Sequence, residues 1–478
     1  MIFRRYASTH LPRTIQQLLS APPIPPNLSQ VSITGWVKSV RRQKRVAFAV
    51  VNDGSNAAGL QVVFSDPISA QRLSNGTAVR LTGQLADSPG KGQAKELKVE
   101  QVQVLGECDP EEYPIQKQAL STEYLRQNVH LRARTDTIAS MIRLRDSLQR
   151  SIHAFFQDEG FLYTHTPILT SNDCEGAGEA FQIASQPSSQ DGQPSNTLET
   201  TEKESVKESH FFSRPTYLTV SSQLHLEAMA TAMSRVYTLS PCFRAETSQT
   251  NRHLSEFWML EAEWAFTERV EDICSLVEAL LKSTWKHSCQ ERIGLADEAS
   301  SHLAHIAPQF EQGKSWQRMT YTEAISELSK HQSTTKSPFV FDPKWGKPLQ
   351  SEHERWLADT LVRGPVFVTD YPTSLKPFYM RANPDGKTVA CFDLLIPQIG
   401  ELVGGSLREE RLDVLKENMV RHNLSPELYG WYLDLRKYGG APHGGFGLGL
   451  ERLVSWMGAI ENIRECIPMP RWAGRMLL

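Results

Sequence analysis

The sequence predicts an α+β protein of two domains: a small N-terminal β-barrel, then a larger domain built on a mostly antiparallel sheet flanked by helices. Three observations carry that expectation. Short runs of alternating apolar residues, punctuated by Gly, Asn and Asp, crowd residues 27–108. Residues 242–266 read as two strands joined by a polar loop. The later strands around 365–372, 376–381 and 392–396 lack the regular helix alternation of a parallel sheet.

At 478 residues the chain has room for two or more domains and a large core. A formal charge of −3 gives no global nucleic-acid signature, so any such contact must come from local patches. Seven scattered cysteines form no CxxC pair and no metal spacing, which points to free thiols in a reducing compartment. No run is long enough for a transmembrane helix, so no membrane partner is expected.

The N-terminus is basic, hydroxylated and free of acids, with Arg4, Arg5 and Arg13, and the first carboxylate is Asp53. Residues 1–26 therefore read as a mitochondrial transit peptide ending in the extended Pro-rich linker Ala21–Pro26, and the mitochondrial matrix is the expected location. The alternative is an untidy cytosolic N-terminus.

Five strands follow, at 31–40, 46–51, 59–64, 78–85 and 97–104. Five short strands in so little chain suggest a closed barrel of the OB type over 27–108. Between the first two lie Lys38, Arg41, Arg42, Lys44 and Arg45, beside Phe48. Basic charge next to an exposed ring suits single-stranded RNA. A core phenylalanine behind an ordinary basic hairpin fits equally well.

Residues 109–135 read as a hinge, and 136–478 as the second domain. It opens with a helix from Asp136 to Asp158, striped by Ile138, Met141, Ile142, Leu148, Ile152 and Phe155, and closed by Gly160. Phe161–Leu169 is then an edge strand carrying Pro167. Residues 185–208 are polar and read as a disordered insertion, and 287–350 as an accessory insertion.

The centre of the chain is 242–266. Alternation in its second strand puts Trp258, Leu260, Ala262 and Trp264 on one face, and Phe257, Met259, Glu261 and Glu263 on the other. Arg244 and Glu246 share a face of the first strand, and the loop adds Arg252 and His253. Guanidinium, imidazole, aromatic ring and carboxylates on one surface suit a ligand with phosphates, a flat base and an ammonium group. A solvated charged hairpin is the plainer reading, weakened by the flanking Trp, Phe and Met.

Phe243-Arg244-Ala245-Glu246, with Arg252-His253-Leu254 and Glu256-Phe257, resembles motif 2 of the class II aminoacyl-tRNA synthetases, aspartyl/asparaginyl branch. Pro167 and its helix resemble motif 1, a dimer element in that family. Gly444-Gly-Phe-Gly-Leu-Gly449-Leu-Glu-Arg452 resembles motif 3. The barrel resembles the branch's anticodon-binding domain. The second domain is accordingly expected to be a class II synthetase catalytic domain.

The resemblance implies ATP and Mg2+, a homodimer, and ATP-dependent joining of asparagine to tRNA(Asn). It gives Arg244 the α-phosphate, Phe257 the adenine, and Arg452 the γ-phosphate, with Arg244, His253 and Arg452 as the catalytic groups. Glu246, Arg252, His253, Glu401 and Gly449 complete the ATP site. Asp393 and Glu401 match the Mg2+ ligands. Glu179, Gln223, Glu261 and Arg408 match amino-acid contacts, and Phe48 and Gln61 match anticodon contacts. Leu226 stands where aspartyl enzymes typically carry a Lys, and Glu261 where they usually carry Asp. Both favour a neutral carboxamide over a second carboxylate. The rival expectations are an aspartyl or non-discriminating enzyme, a non-catalytic tRNA-binding paralogue, and an asparagine-forming ligase. The last would have no use for the barrel.

Overall fold

A computed structural model of the chain describes residues 11–21, 30–90, 93–171, 180–184, 211–247, 250–288, 304, 306–310, 313, 315–424 and 427–478. The chain divides into two compact units, one up to residue 143 and one from 144 onward.

In the first unit, β1 (Gln30–Arg42), β2 (Ala47–Asn52), β3 (Leu60–Phe64), β4 (Ala78–Asp87) and β5 (Lys95–Gly106) close a barrel in the order β1-β2-β3-β5-β4. Each strand lies within two residues of its expected position. Strict alternation points Ala47, Ala49, Val51, Leu60, Val62 and Phe64 inward, where they form the barrel core with Ile33, Leu81 and Leu97.

The segment read as targeting sequence is partly structural. Ile15–Leu19 is a helix capped by Thr14, whose hydroxyl accepts the Gln17 N–H while Gln17 accepts the Thr14 N–H. Ile15 and Leu18 join the barrel core, and the Ile15 and Gln16 amides donate to Asp53 (2.8 Å) and Ser55 (3.0 Å). Apolar residues spaced for an amphipathic leader serve equally well for a core helix, so composition did not separate the two. Residues 1–10 and 22–29 lie outside the described set.

The second unit is organised on an eight-stranded sheet. In chain order its strands are β6 (Leu162–Tyr163), β9 (Arg235–Phe243), β10 (Glu256–Ala265), β11 (Gln317–Thr320), β12 (Val366–Thr369), β13 (Cys391–Ile396), β14 (Gly400–Leu407) and β15 (His443–Gly449). Their spatial order is β11-β12-β13-β14-β15-β10-β9-β6. All neighbours are antiparallel except the outermost pairs, β11 with β12 and β6 with β9. A small pair, β7 (Leu169–Thr170) and β8 (Tyr217–Leu218), stands apart. The helix Asp136–Asp158 has the expected bounds.

Three local expectations need correction. The stretch 161–169 is not one strand, because β6 and β7 pair with different partners on either side of Pro167. Residues 376–381 form no strand. Pro377 has no amide to give, and Phe378, Tyr379 and Met380 are packed into the core instead. Residues 287–350 are not merely accessory. Their part at 317–320 adds β11 to the sheet, and helix Tyr321–Thr334 buries Tyr321, Ala324, Ile325 and Leu328 in the main core. That i, i+3, i+4, i+7 stripe was present in the sequence. The polar insertion 185–208 lies outside the described residues.

Candidate active site

β10 carries the site. Its back face buries Leu260, Ala262 and Trp264, and its front face lines two adjoining cavities of about 210 Å³ and 150 Å³. Gln223, Leu226, Glu261 and Arg408 line the first; Glu246, Arg252, His253, Phe257, Gly449 and Arg452 line the second. Arg244, Met259, Glu401 and Gly447 line both, so the two are ends of one cleft. The motif residues, scattered over more than two hundred positions of sequence, are thereby brought onto one surface.

At the first end, Glu261 accepts the Ser222 amide (2.8 Å) and the Ser221 hydroxyl. These bonds hold a nearly buried carboxylate at the cleft floor. Gln223 starts helix Gln223–Met233 and donates to Glu227 (3.1 Å). Arg408 is fixed from behind: Nε and Nη2 donate to Glu263 (3.1 and 2.8 Å), and Nη1 donates to Ser406 (2.7 Å). Glu263 lines the same end of the cleft and is almost wholly buried.

Glu263 belongs to a buried cluster with Glu227, Arg408, Arg436, Tyr432 and His443. Glu227 receives Arg436 (2.6 Å), Tyr432 (2.7 Å) and His443 (3.1 Å). Burial pushes the Glu227 carboxyl up, but Arg436, His443 and Arg408 outweigh it and hold it well below the usual range. For Glu263 burial wins over Arg408 and raises it. Glu227, Glu263 and His443 also stand close enough to share a metal ion. Two guanidiniums already supply positive charge there, so the cluster reads as an ionic support for Arg408.

At the second end, Arg244 lies 5.5 Å from the Phe257 ring and 3.8 Å from Glu246. His253 approaches Glu246 to 3.2 Å. Arg252 reaches across the cleft and donates to the carbonyls of Gln398 (3.3 Å) and Ile399 on the β13–β14 turn. Burial and the neighbouring Arg355 lower the Arg252 guanidinium's affinity for its proton. Arg452, on helix Leu450–Gly458, donates to the Glu401 carbonyl (2.9 Å).

The glycines of 444–449 serve two purposes, close strand packing and an open cleft floor. A Cβ on Gly445 would stand 2.1 Å from the Ala262 carbonyl, so that part of β15 is glycine for packing. Gly447 and Gly449 meet nothing closer than 3.3 and 3.9 Å, and both line the cleft.

The carboxylates matched to Mg2+ converge over another glycine. A Cβ on Gly404 would lie 3.2 Å from Glu401 Oε1 and 3.6 Å from Asp393 Oδ1. Two hard oxygen donors facing a space that a side chain would fill fit a divalent cation shared with phosphates. Lys376 bonds both Asp393 oxygens (2.8 and 2.7 Å), so the cation would share that carboxylate with an ammonium. Glu354 stands behind, accepting the Glu401 amide at 3.3 Å, and Asp359 accepts the Gln398 amide at 2.8 Å.

In the barrel, Phe48 and Gln61 point outward between buried neighbours, so Phe48 is not core. Gln61 donates to Glu96 (3.4 Å) on β5. The basic cluster is less available than its sequence implies. Arg42 holds the carbonyls of Ala70, Gln71 and Leu73, and Lys38 pairs with Asp136 at 2.7 Å. Arg41, Lys44 and Arg45 are exposed. A wider groove of about 910 Å³ in the same unit, lined by Trp36, Tyr113 and Arg134, holds none of the residues matched to ATP, asparagine, Mg2+ or the anticodon.

Glu179 lies outside the described residues. Sequence reasoning missed Ser221, Ser222, Glu227, Lys376, Glu354 and His443. Only Glu263 had a visible signal, two residues from Glu261 on the same strand face.

This barrel, sheet and cleft define a class II tRNA synthetase. Residues 121–473 match the family tRNA synthetases class II (D, K and N), residues 31–105 match the OB-fold nucleic acid binding domain, and the chain belongs to that family. Within it the similarity is to asparaginyl enzymes. The chain is 46% identical to the asparagine–tRNA ligase of Thermosynechococcus vestitus, over 93% of this chain and 96% of that one. It is also 46% identical to the mitochondrial asparagine–tRNA ligase of Schizosaccharomyces pombe, over 97% of this chain and 98% of that one. The crystal structure of asparaginyl-tRNA synthetase from Pyrococcus horikoshii complexed with asparaginyl-adenylate matches with a TM-score of 0.80 at 28% identity, covering 98% and 99% of the two chains.

Proposed function

We propose that this synthetase is an asparagine–tRNA ligase that activates asparagine with ATP and charges tRNA(Asn), acting as a homodimer in the mitochondrial matrix. The observation that carries this reading is the single cleft with a polar end at Gln223, Glu261 and Arg408 and a cationic, aromatic end at Arg252, His253, Phe257 and Arg452. Arg244 borders both ends, where an α-phosphate and an α-carboxylate would meet.

The asparagine carboxylate oxygen attacks the ATP α-phosphorus and the bond to pyrophosphate breaks, giving asparaginyl-AMP. A ribose hydroxyl at the tRNA 3′ end then attacks the acyl carbon, losing its proton as AMP departs. Neither step demands a strongly shifted acid or base. Arg244 balances charge on the α-phosphate, Phe257 stacks under adenine, and His253 and Arg452 hold the outer phosphates. Asp393 and Glu401 would hold Mg2+, which neutralises triphosphate charge when bound. Glu179 is assigned to the substrate ammonium on the resemblance alone.

Specificity rests on Glu261 and Leu226. Glu261 offers an oxygen acceptor to the NH2 of asparagine, a donor that the aspartate side chain lacks. Leu226 supplies no charge to balance a second carboxylate. Phe48 and Gln61 would contact anticodon bases. Exposed Leu162, Tyr163, Ile168 and Leu169 along the motif 1 segment support a self-association face. Similarity to the mitochondrial ligase of S. pombe and the acid-free N-terminus support the location.

The test is aminoacylation of mitochondrial tRNA with labelled asparagine by the purified chain. Asparagine in the periodate-protected tRNA fraction is expected. Bound tRNA without acylation would instead favour the non-catalytic paralogue.

A further inference from the structure

The chain after the last helix does more than finish the fold. Between Asn462 and Arg475 it holds the loop that presents Arg252 and His253, and it does so at three points. The Ile463 amide donates to the Asn251 carbonyl (3.2 Å), Arg464 Nη2 donates to the Thr250 carbonyl (3.2 Å), and the Ser255 amide donates to the Arg471 carbonyl (2.8 Å). Leu254 packs with Ile463 and Ile467, against Phe257 and Trp258.

Thr250 links this hold to the site. Its carbonyl takes the Arg464 bond, while its hydroxyl bonds Nδ1 of His253 (2.5 Å), whose Nε2 faces Glu246 (3.2 Å). Arg464 is itself stacked, its guanidinium 4.6 Å from the Trp472 ring, with Arg475 on the same ring at 5.8 Å. A turn capped by Asn462, whose side chain accepts the Arg464 amide (3.1 Å), fixes the backbone beneath. Contacts therefore run Trp472, Arg464, Thr250, His253, Glu246, from the C-terminus into the cationic end of the cleft.

We infer that Arg464, stacked on Trp472, is a positioning residue for the ATP-binding loop, setting where His253 and Arg252 meet the triphosphate. The inference rests on the proposed function for the identity of the nucleotide. Arg464 lines neither end of the cleft, so its loss acts through the loop. The amino-acid end at Gln223, Glu261 and Arg408 lies apart from this path. A planar guanidinium can both stack on an indole and donate in its own plane, which an ammonium cannot reproduce.

The experiment compares wild type with Trp472→Leu, Arg464→Lys and Arg464→Ala. ATP–pyrophosphate exchange gives KM for ATP and asparagine, calorimetry gives Kd for a non-hydrolysable ATP analogue, and melting curves report folding. Trp472→Leu and Arg464→Lys are expected to raise ATP KM and analogue Kd about five- to tenfold, the scale of one hydrogen bond, with asparagine KM changed less than about twofold. Arg464→Ala should lie beyond Arg464→Lys in the same direction. A folded Trp472→Leu or Arg464→Lys variant with wild-type analogue affinity overturns the inference, and so does equal weakening of ATP and asparagine. If Arg464→Ala fails to fold, Trp472→Leu still decides, because it removes the stack that orients Arg464 while keeping the Arg464 side chain. Wild-type protein that binds the analogue but shows no asparagine-dependent exchange would refute the substrate assignment while leaving the calorimetric test intact.

Discussion

Arg408 and Glu263 form a two-point ion pair in the wall of the cleft, with Nε and Nη2 of the arginine donating to one carboxylate, and both side chains almost wholly buried. The pair fixes the plane of the Arg408 guanidinium, for which we propose contact with the amino-acid side chain. Removing one partner leaves the other charge buried and unpaired, which typically costs about 3–5 kcal/mol. Glu263→Ala is expected to destabilise by that amount in urea denaturation. Glu263→Gln keeps one acceptor and is expected to fold. It should raise asparagine KM about tenfold or more, with ATP KM changed little.

Glu354 gives the second unit a pH dependence. Burial, followed by the charges of Glu401 and Asp393, pushes its carboxyl from 4.5 up to about 7. Between those values the folded chain keeps a proton that the unfolded chain has lost. The contribution to stability is fully present below pH 4.5 and is lost as pH rises through about 7. The effect is at most about 3 kcal/mol. Glu354→Gln can still accept the Glu401 amide but carries no charge. Without divalent cations, its urea midpoint should match wild type at about pH 4 and exceed it at about pH 8.

Phe48 reports on the barrel alone. Base–aromatic stacking contributes about 1–3 kcal/mol per base, so Phe48→Ala is expected to raise tRNA KM about ten- to a hundredfold. ATP–pyrophosphate exchange without tRNA should be unchanged. A change in exchange would contradict the assignment.

Ile15 and Leu18 pack in the barrel core. Ile15→Ala is expected to destabilise the barrel by about 2–4 kcal/mol in thermal or urea denaturation. A mature N-terminus found by mass spectrometry should precede Thr14, so that the capped helix is retained.

The sequence was legible where one periodicity had one interpretation. β10 alternates so strictly that Glu261 could be assigned to the front and Leu260 to the back, and the barrel strands were equally plain. It was ambiguous where one pattern served two purposes, as with Ile15 and Leu18, which suit both an amphipathic leader and a core helix. It was silent where function depends on long-range approach. Nothing near Glu354 announces that its carboxyl accepts the amide of Glu401, and nothing near Arg464 announces Thr250. Lys376, which bonds both oxygens of Asp393, was hidden for the same reason.

The most direct test of asparagine recognition is ATP–pyrophosphate exchange by the purified wild-type chain, with asparagine and aspartate measured in parallel. Because Glu261 can accept from an amide NH2 and Leu226 leaves a second carboxylate unbalanced, asparagine should be preferred by about a hundredfold or more in kcat/KM. Comparable exchange with aspartate would contradict the assignment of Glu261 and Leu226 and mark the enzyme as non-discriminating.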